Sequence, residues 1–250
     1  MRRLIITLLL ISAAMSAQAA GDYEKPIQKD WAFDGFLGKF DYESVHRGFT
    51  VYKNVCASCH SLKRIAYRNL QEVGFTEGQA KAIAAEYEVT DGPNDDGELF
   101  QRPARLSDRF VSPFPNEQAA RAANGGAYPP DLSLMDKARP DGANYLYSLL
   151  LGYEEPPADV KLGTGMYYNI YYPGKQIAMP QQLSAGLVDY ADGTEASIEQ
   201  MATDITNFLQ WTAEPEMQQR KKMGVRTFIY LVIMTILLYA AKRRIWSDVK

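Results

Sequence analysis

Five consecutive residues, Cys56-Ala57-Ser58-Cys59-His60, constrain this chain more than any other feature of its sequence. They contain both of its cysteines and one of its two histidines. The spacing C-x-x-C-H is typical of covalent attachment of a c-type haem. Two thiols three positions apart lie on one face of a helical turn, where each can add to a vinyl group of the porphyrin. The imidazole that follows can then bind the iron. The pattern therefore predicts one covalent haem c, with His60 as an iron ligand.

Three other interpretations of the two cysteines are weaker. A thioredoxin-like redox pair would need a βαβ pattern nearby, and none is visible. A structural disulfide between Cys56 and Cys59 would be strained. A zinc site would need further ligands, and His46 is the only other histidine. Because His46 falls off the apolar line of the preceding helical segment, we expect it on the surface.

The second axial ligand must come from far along the chain, and methionine is the usual choice because a thioether favours ferrous iron. Six methionines lie between the apolar termini, the last two beside the C-terminal run: Met135, Met166, Met179, Met201, Met217 and Met223. Met201 falls on a helical apolar stripe and is expected in the core. Pro180, directly after Met179, stops any helix and stiffens a loop. Position alone therefore favours Met179 over Met166 and Met135.

The N-terminus has the pattern of a secretory signal peptide. Arg2 and Arg3 precede the apolar run Leu4–Met15, and an Ala17-x-Ala19 pattern follows. A retained membrane anchor is the alternative, but the run is short for a span. We predict a signal peptide over residues 1–19, cleaved near Ala19 or Ala20, and export of residues 20–219 to the bacterial periplasm or an equivalent space.

A second apolar run lies near the C-terminus. Thr227–Ala241 holds no charge and is closed by Lys242, Arg243 and Arg244. A buried core helix would alternate apolar and polar faces, whereas this run is apolar all round. We therefore predict a transmembrane anchor over 223–241. Because the preceding domain is exported, the tail 242–250 would stay in the cytoplasm, which gives a single-pass protein of the bacterial inner membrane.

The net charge of the predicted exported part differs from the −3 of the whole chain. Of 27 Lys and Arg, two lie in the predicted signal peptide and eight from Arg220 onward, whereas only Asp248 of the 30 Asp and Glu lies outside 20–219. The predicted exported part therefore carries 17 positive and 29 negative side chains, a net charge of about −12. Such a field repels nucleic acid and attracts a basic partner.

Periodicity predicts three helices in the exported part. Val45, Phe49 and Tyr52 have helical spacing in the segment 42–55, which would deliver the cysteines to the haem. A short apolar helix is expected over 144–151, and a longer one over 198–212 with Ser197 and Gln200 as a capping box. Residues 91–98 form an acidic, turn-rich stretch, expected to be an exposed loop. We predict a mainly α fold: a c-type cytochrome domain with long loops and one C-terminal transmembrane helix.

Longer segments resemble one family. They are Cys56–His60, TDGPNDDGELFQRP at 90–103, AARAANGGAYPPDLS at 119–133, GMYYN, IAMP, and WTAEPE before a single C-terminal span. Together they resemble cytochrome c1, the haem subunit of the cytochrome bc1 complex (quinol–cytochrome c oxidoreductase). The resemblance extends over nearly the whole chain after the predicted signal peptide.

The resemblance implies a set of site residues. Cys56 and Cys59 would form the thioethers, and His60 and Met179 would be the iron ligands. The residues that would lie against the haem are Asn124, Pro129, Pro130, Arg139 and Tyr145. Some bacterial members carry an additional disulfide, which this chain has no cysteines to form. Its loops would then hold Met179 by packing alone.

The resemblance also implies partners. The C-terminal helix would dock beside cytochrome b, electrons would arrive from the Rieske iron–sulfur protein and leave to a basic cytochrome c, and the complex would be dimeric. The chain would be a redox subunit and no enzyme on its own. The alternatives are a membrane-anchored monohaem cytochrome feeding a terminal oxidase, a haem-based sensor and a periplasmic thiol oxidoreductase.

Overall fold

The computed structural model describes residues 23–247, so the predicted signal peptide lies outside the described residues. The described chain is mainly helical, with two small two-stranded antiparallel sheets, as the sequence predicts. Its elements are α1 (Tyr42–Asn54), 3-10 turns at Cys56–Ser58 and Tyr67–Val73, α2 (Glu77–Ala85), β1 (Glu88–Asp91), β2 (Phe100–Pro103), α3 (Glu117–Ala123), α4 (Met135–Ala138), α5 (Gly142–Leu151), β3 (Tyr167–Tyr168), β4 (Gln176–Ile177), α6 (Ile198–Ala213) and α7 (Met217–Ile245).

Helix α1 forms where its periodicity predicts. Asp41 caps it by accepting a hydrogen bond from the Ser44 backbone N–H at 3.2 Å. Its apolar residues Val45, Phe49 and Tyr52 are all buried, and the helix packs chiefly on α6. A Cβ at Gly48 would lie 2.1 Å from the Asp204 backbone oxygen on α6. The two helices therefore cross closely only because residue 48 has no side chain.

Helix α6 is the central helix of the core. Ser197 accepts a hydrogen bond from the Gln200 N–H at 3.1 Å, as expected for its N-cap. The reciprocal half of the predicted capping box is absent, because the Gln200 amide donates to Asp204 at 3.0 Å instead. Met201 is fully buried, as predicted. The helix ends at Ala213, two residues before Pro215.

Each of the two small sheets is a single antiparallel hairpin. β1 pairs with β2 in the register Glu88↔Pro103 to Asp91↔Phe100, and the connection between these strands is the predicted exposed acidic loop. β3 pairs with β4 in the register Tyr167↔Ile177. The second hairpin lies in tyrosine-rich sequence without a clear alternating pattern, which explains why periodicity alone does not predict it.

Helix α7 is longer than the predicted anchor. It runs 29 residues without interruption and begins at Met217, whose side chain is buried in the core. The run Thr227–Ala241 lies wholly within it, with its large apolar side chains mostly exposed. It is the one helix in the described range that is long and apolar enough to cross a membrane.

Helix α4 carries a buried carboxyl group. Asp136 is 7% exposed, and its Oδ1 has no hydrogen-bond partner. Its pKa is raised to about 6. Burial is the main cause, Lys137 opposes it, and the nearby carboxylates Asp34 and Glu214 add to it. An unfolded aspartate titrates near 3.9, so the folded protein binds this proton more tightly than the unfolded chain.

The sign of this difference predicts a pH effect. Stability should fall as pH rises from about 4 to about 6 and remain lower at neutral pH. Asp136→Asn removes the ionisable group, so it should raise the free energy of unfolding by roughly 2 kcal/mol at pH 7.5 and by little at pH 4. Guanidinium unfolding of the full-length protein in detergent at both pH values measures this. An equal effect at the two values would contradict the assignment.

Candidate haem site

The five-residue motif forms a single turn directly after α1. The Cys56 carbonyl accepts hydrogen bonds from the backbone N–H groups of Cys59 (3.2 Å) and His60 (2.9 Å). Both cysteines are free and half-buried, and burial raises the pKa of the Cys56 thiol to about 12. The turn therefore keeps both thiols close together and places the imidazole directly after them.

The orientation of His60 is fixed by a residue 70 positions away. Its Nδ1 lies 2.8 Å from the Pro130 carbonyl oxygen. A carbonyl only accepts, so Nδ1 must carry the proton and Nε2 keeps its lone pair. Burial lowers the pKa of His60, against the opposing effects of the Pro130 hydrogen bond and Asp131. A neutral imidazole with a second hydrogen-bonded nitrogen is the form that binds metals in proteins.

Asp131 ties the motif to the Pro-Pro segment, and sequence reasoning missed it. Its carboxylate accepts hydrogen bonds from the Ser61 hydroxyl (2.8 Å), the Lys63 N–H (2.9 Å) and the Ser133 N–H (2.9 Å). Although burial opposes the change, these donors lower the pKa of Asp131. The sequence Asp131-x-Ser133, which is typical of an Asx turn, is the signal that could have identified it.

Met179 lies two residues after β4 and is half-buried. The Tyr153 hydroxyl donates a hydrogen bond to the Met179 backbone carbonyl at 3.0 Å. The loop is thus held by a hydrogen bond as well as by packing, contrary to the expectation of packing alone. Tyr153 was not predicted, and nothing in the local sequence indicates its role.

Arg139 and Tyr145 interact with each other, and Tyr145 lies near Tyr153, the residue that bonds the Met179 carbonyl. Tyr145, on α5, is 5% exposed, and burial raises its pKa, while a hydrogen bond and the charge of Arg139 oppose the shift. The pKa of Tyr153 is raised mainly by burial, and Tyr145 lies close enough to add to this shift. The amide of buried Asn169 donates to the Leu149 carbonyl at 2.8 Å, which fastens the β3–β4 hairpin to α5.

The remaining predicted residues have simpler surroundings. Asn124 is half-buried at the end of α3, and its side chain donates to the Ala120 carbonyl at 2.7 Å. Pro129 is half-buried directly before Pro130.

His46 is half-buried rather than fully exposed, because its ring stacks on Phe75 with centroids 4.0 Å apart. The structure thus joins His60 with Pro130 directly, and it connects Met179 to Tyr145 and Arg139 only through Tyr153.

The Tyr153 hydrogen bond predicts a measurable effect on ligation. Tyr153→Phe removes the donor to the Met179 carbonyl and should make the sulfur ligand easier to displace, by about 1 kcal/mol. Guanidinium titration of the ferric protein, followed by the sulfur-to-iron absorption band, measures the displacement. Tyr168→Phe serves as the control, because Tyr168 is a buried tyrosine of the β3–β4 hairpin that precedes Met179. Equal midpoints for Tyr153→Phe and the unchanged protein would contradict the role.

The donor set fits a c-type haem. Two thiols on one turn would suit thioether bonds, a neutral imidazole with a free Nε2 would suit an iron ligand, and the thioether of Met179 would suit a second one.

Comparisons with known proteins agree with this chemistry. The model of the cytochrome C1 family matches residues 31–249. The chain is 51% identical over 244 residues to "Cytochrome c1 1, heme protein, mitochondrial" of Arabidopsis thaliana, covering 97% of this chain and 79% of that protein. It is 42% identical over 265 residues to cytochrome c1 of Rhodospirillum rubrum, covering 100% and 97%.

A third relative is "Cytochrome b-c1 complex catalytic subunit, mitochondrial" of Candida albicans, 48% identical over 246 residues and covering 97% of this chain and 85% of that protein. The family model and the relatives together extend over the Cys56–His60 turn, the loop that carries Met179 and the apolar C-terminal helix. This chain therefore belongs to the cytochrome c1 family.

Proposed function

We propose that this chain is the electron-transfer subunit of a cytochrome bc1 complex. It would take single electrons from the Rieske iron–sulfur protein and pass them to a cytochrome c. The bound haem c would supply a reversible one-electron change between ferric and ferrous iron. No bond is made or broken in a substrate, so the chain needs no acid–base residue.

The observation that carries this proposal is the hydrogen bond between His60 Nδ1 and the Pro130 carbonyl. It fixes the tautomer that leaves Nε2 for the iron, and it increases the basicity of the ligand. Met179 would supply the opposite, softer ligand, which favours the ferrous state. Cys56 and Cys59 would keep the group attached to the chain in both oxidation states.

Arg139 and Tyr145 would support the acidic edge of the cofactor. A guanidinium beside a partly buried propionate pairs a charge that would otherwise be costly. Asn124, Pro129 and Pro130 would line the same cavity. The chain's own work is to orient the ligands, to limit water near the iron and to leave an edge open to redox partners.

Membrane attachment follows from α7. We infer that residues 223–241 span the bacterial inner membrane, that residues 20–219 lie in the periplasm after removal of residues 1–19, and that the tail 242–250 is cytoplasmic. The apolar length of α7 supports the span, and the predicted export of the preceding domain supports its orientation. The relative from Candida albicans is named as a subunit of a cytochrome b-c1 complex, which supports docking of α7 beside cytochrome b in a dimeric complex.

Purification of the membrane complex tests the function. A tagged chain should co-purify with a dihaem cytochrome b, and quinol should reduce the haem of this chain before the electron reaches added cytochrome c. Co-purification with a terminal oxidase and without a cytochrome b would support the alternative role as an oxidase-feeding cytochrome.

The acidic charge predicts a dependence on salt. A haem domain with a net charge of about −12 attracts a basic cytochrome c over a distance set by the ionic strength. The bimolecular rate of cytochrome c reduction should therefore fall by about tenfold or more when the Debye length is shortened from roughly 30 Å to 8 Å by added salt. Stopped-flow reduction at several salt concentrations measures the rate. A rate indifferent to salt would contradict electrostatic steering.

A further inference from the structure

We propose that the loop of residues 34–38, here called the tip loop, is a second membrane contact whose apolar apex enters the lipid interface beside α7. The proposal rests on the proposed anchor, because it needs α7 to cross the bilayer. The apex residues are Phe36 and Leu37, which are 63% and 75% exposed. Leu37 is the most exposed of the large apolar side chains in residues 23–247.

The tip loop is rigidly closed at its base. The Lys39 N–H donates to the Ala32 carbonyl at 2.8 Å. A Cβ on Gly38 would lie 2.0 Å from the Asp34 backbone oxygen, so only glycine permits this close approach. Phe33 and Phe40, on either side of the loop, are buried in the core with ring centroids 6.4 Å apart. The exposed apolar apex is therefore presented by a fixed scaffold.

A lysine of α7 joins the base of the loop to the membrane helix. Lys221 Nζ donates hydrogen bonds to the carbonyl oxygens of Phe33 (2.5 Å) and Gly38 (3.5 Å). The uncharged run begins at Thr227, six positions after Lys221, which corresponds to a rise of about 9 Å along the helix. Leu37 directly precedes one of the bonded carbonyls, and a chain reaches about 3.4 Å per residue. The base of the tip loop is thus held about 9 Å along the helix from the level at which hydrocarbon would begin, and the exposed apex projects from that base.

The charges around this level suit a bilayer surface. The domain as a whole is acidic, but the segment from Arg220 to Arg226 carries four cationic and no acidic side chains, and of these only Arg220 pairs with an acidic residue of the described chain, Glu214. Exposed Lys39 closes the loop. Asp34, in the loop itself, accepts a hydrogen bond from the Trp31 N–H at 3.4 Å. Cationic side chains beside an apolar apex match anionic headgroups above acyl chains.

The shape of the apex favours lipid over a protein partner. Two adjacent apolar side chains on a narrow, closed turn offer little area for a specific protein interface, which needs on the order of 800 Å² from each partner. Insertion of two large apolar side chains into the interface needs no complementary surface. The hydrogen bonds from Lys221 also connect the tip loop to the predicted membrane helix, so the bilayer is the favoured partner of the apex.

Spin labels in the assembled complex test this proposal. Leu37→Cys would carry a nitroxide in the purified complex, in nanodiscs of phosphatidylcholine and phosphatidylglycerol, and power saturation would measure its collisions with oxygen and with a water-soluble nickel chelate. Leu99→Cys is the matched control, because Leu99 is an equally exposed leucine on the acidic loop between β1 and β2. Ile233→Cys, in the middle of the uncharged run, reports on the anchor itself.

The proposal predicts high oxygen and low nickel accessibility at Leu37→Cys, between the values for Ile233→Cys and Leu99→Cys. Low accessibility to both reagents would mean that protein covers the apex and would overturn the proposal. High nickel accessibility equal to that of Leu99→Cys would mean that the apex lies in water and would overturn it as well. A label at Ile233→Cys that lacks the lipid pattern would refute the anchor, and the tip-loop contact with it. Phe36→Cys repeats the test at the second apex residue.

Discussion

Replacing Met179 by leucine should lower the reduction potential on the order of 0.2 V, because the axial ligand is the largest single determinant of haem potential. Leucine keeps the apolar volume of the side chain but offers no donor atom. The haem should then bind added ligands, and in particular its ferrous form should bind carbon monoxide. Potentiometric titration of the purified complex, followed in the visible spectrum, measures both effects.

Met166→Leu is the matched control for this prediction. Met166 is half-buried and precedes β3, so it shares the hairpin with Met179 but should not bind iron. Its replacement should leave potential and spectrum unchanged. If Met179→Leu behaved like Met166→Leu, the sulfur ligand would have to be sought elsewhere, and the proposed ligand pair would be wrong.

Replacing Asp204 by alanine should cost about 3–5 kcal/mol of stability, because it removes the buried partner of the Arg47 guanidinium. The side chain of Asp204 is fully buried and accepts two hydrogen bonds from Arg47, at 3.0 and 3.1 Å. It also accepts from the Ser44 hydroxyl at 2.7 Å and from the Gln200 amide at 3.0 Å. These bonds join α1 to α6, so their loss would loosen the helix that carries the haem-attachment turn.

Asp192→Ala provides the comparison, since Asp192 binds the same guanidinium at 3.0 Å but is 46% exposed. An exposed ion pair contributes less than about 1 kcal/mol. Guanidinium unfolding of the full-length protein in detergent, followed by the fluorescence of buried Trp211, measures both variants. Similar losses in the two variants would show that the buried network does not hold the helices together.

The features predicted correctly from sequence depend on neighbours in the chain. Helical spacing of apolar residues predicts α1 and α6, and a serine before the apolar stripe predicts the N-cap at Ser197. The five-residue motif predicts a helical turn, and the hydrogen bonds that form this turn all run to the Cys56 carbonyl within the motif. Local pattern was sufficient in each case, since the stabilising contacts lie within a few residues.

The features that sequence reasoning missed depend on contacts between distant segments. The Pro130 carbonyl that orients His60 is 70 residues away, and Tyr153 reaches Met179 across 26 residues. Gln200 was expected to complete a capping box, but a buried carboxylate four residues later is the stronger acceptor. Likewise, the early start of α7 follows from the burial of Met217 in the core. Such choices are made by the folded environment and leave no periodic pattern in the sequence.

Covalent attachment of haem to the turn after α1 is the central claim, and the mass of the purified chain tests it most directly. The polypeptide should be denatured, extracted with acidified acetone to remove any unbound haem, and then measured by mass spectrometry and by its pyridine haemochrome spectrum. We predict a mass equal to the processed chain plus one haem, with the spectrum of two thioether bonds and no free thiol. A colourless polypeptide whose mass shows Cys56 and Cys59 as free thiols would contradict the account.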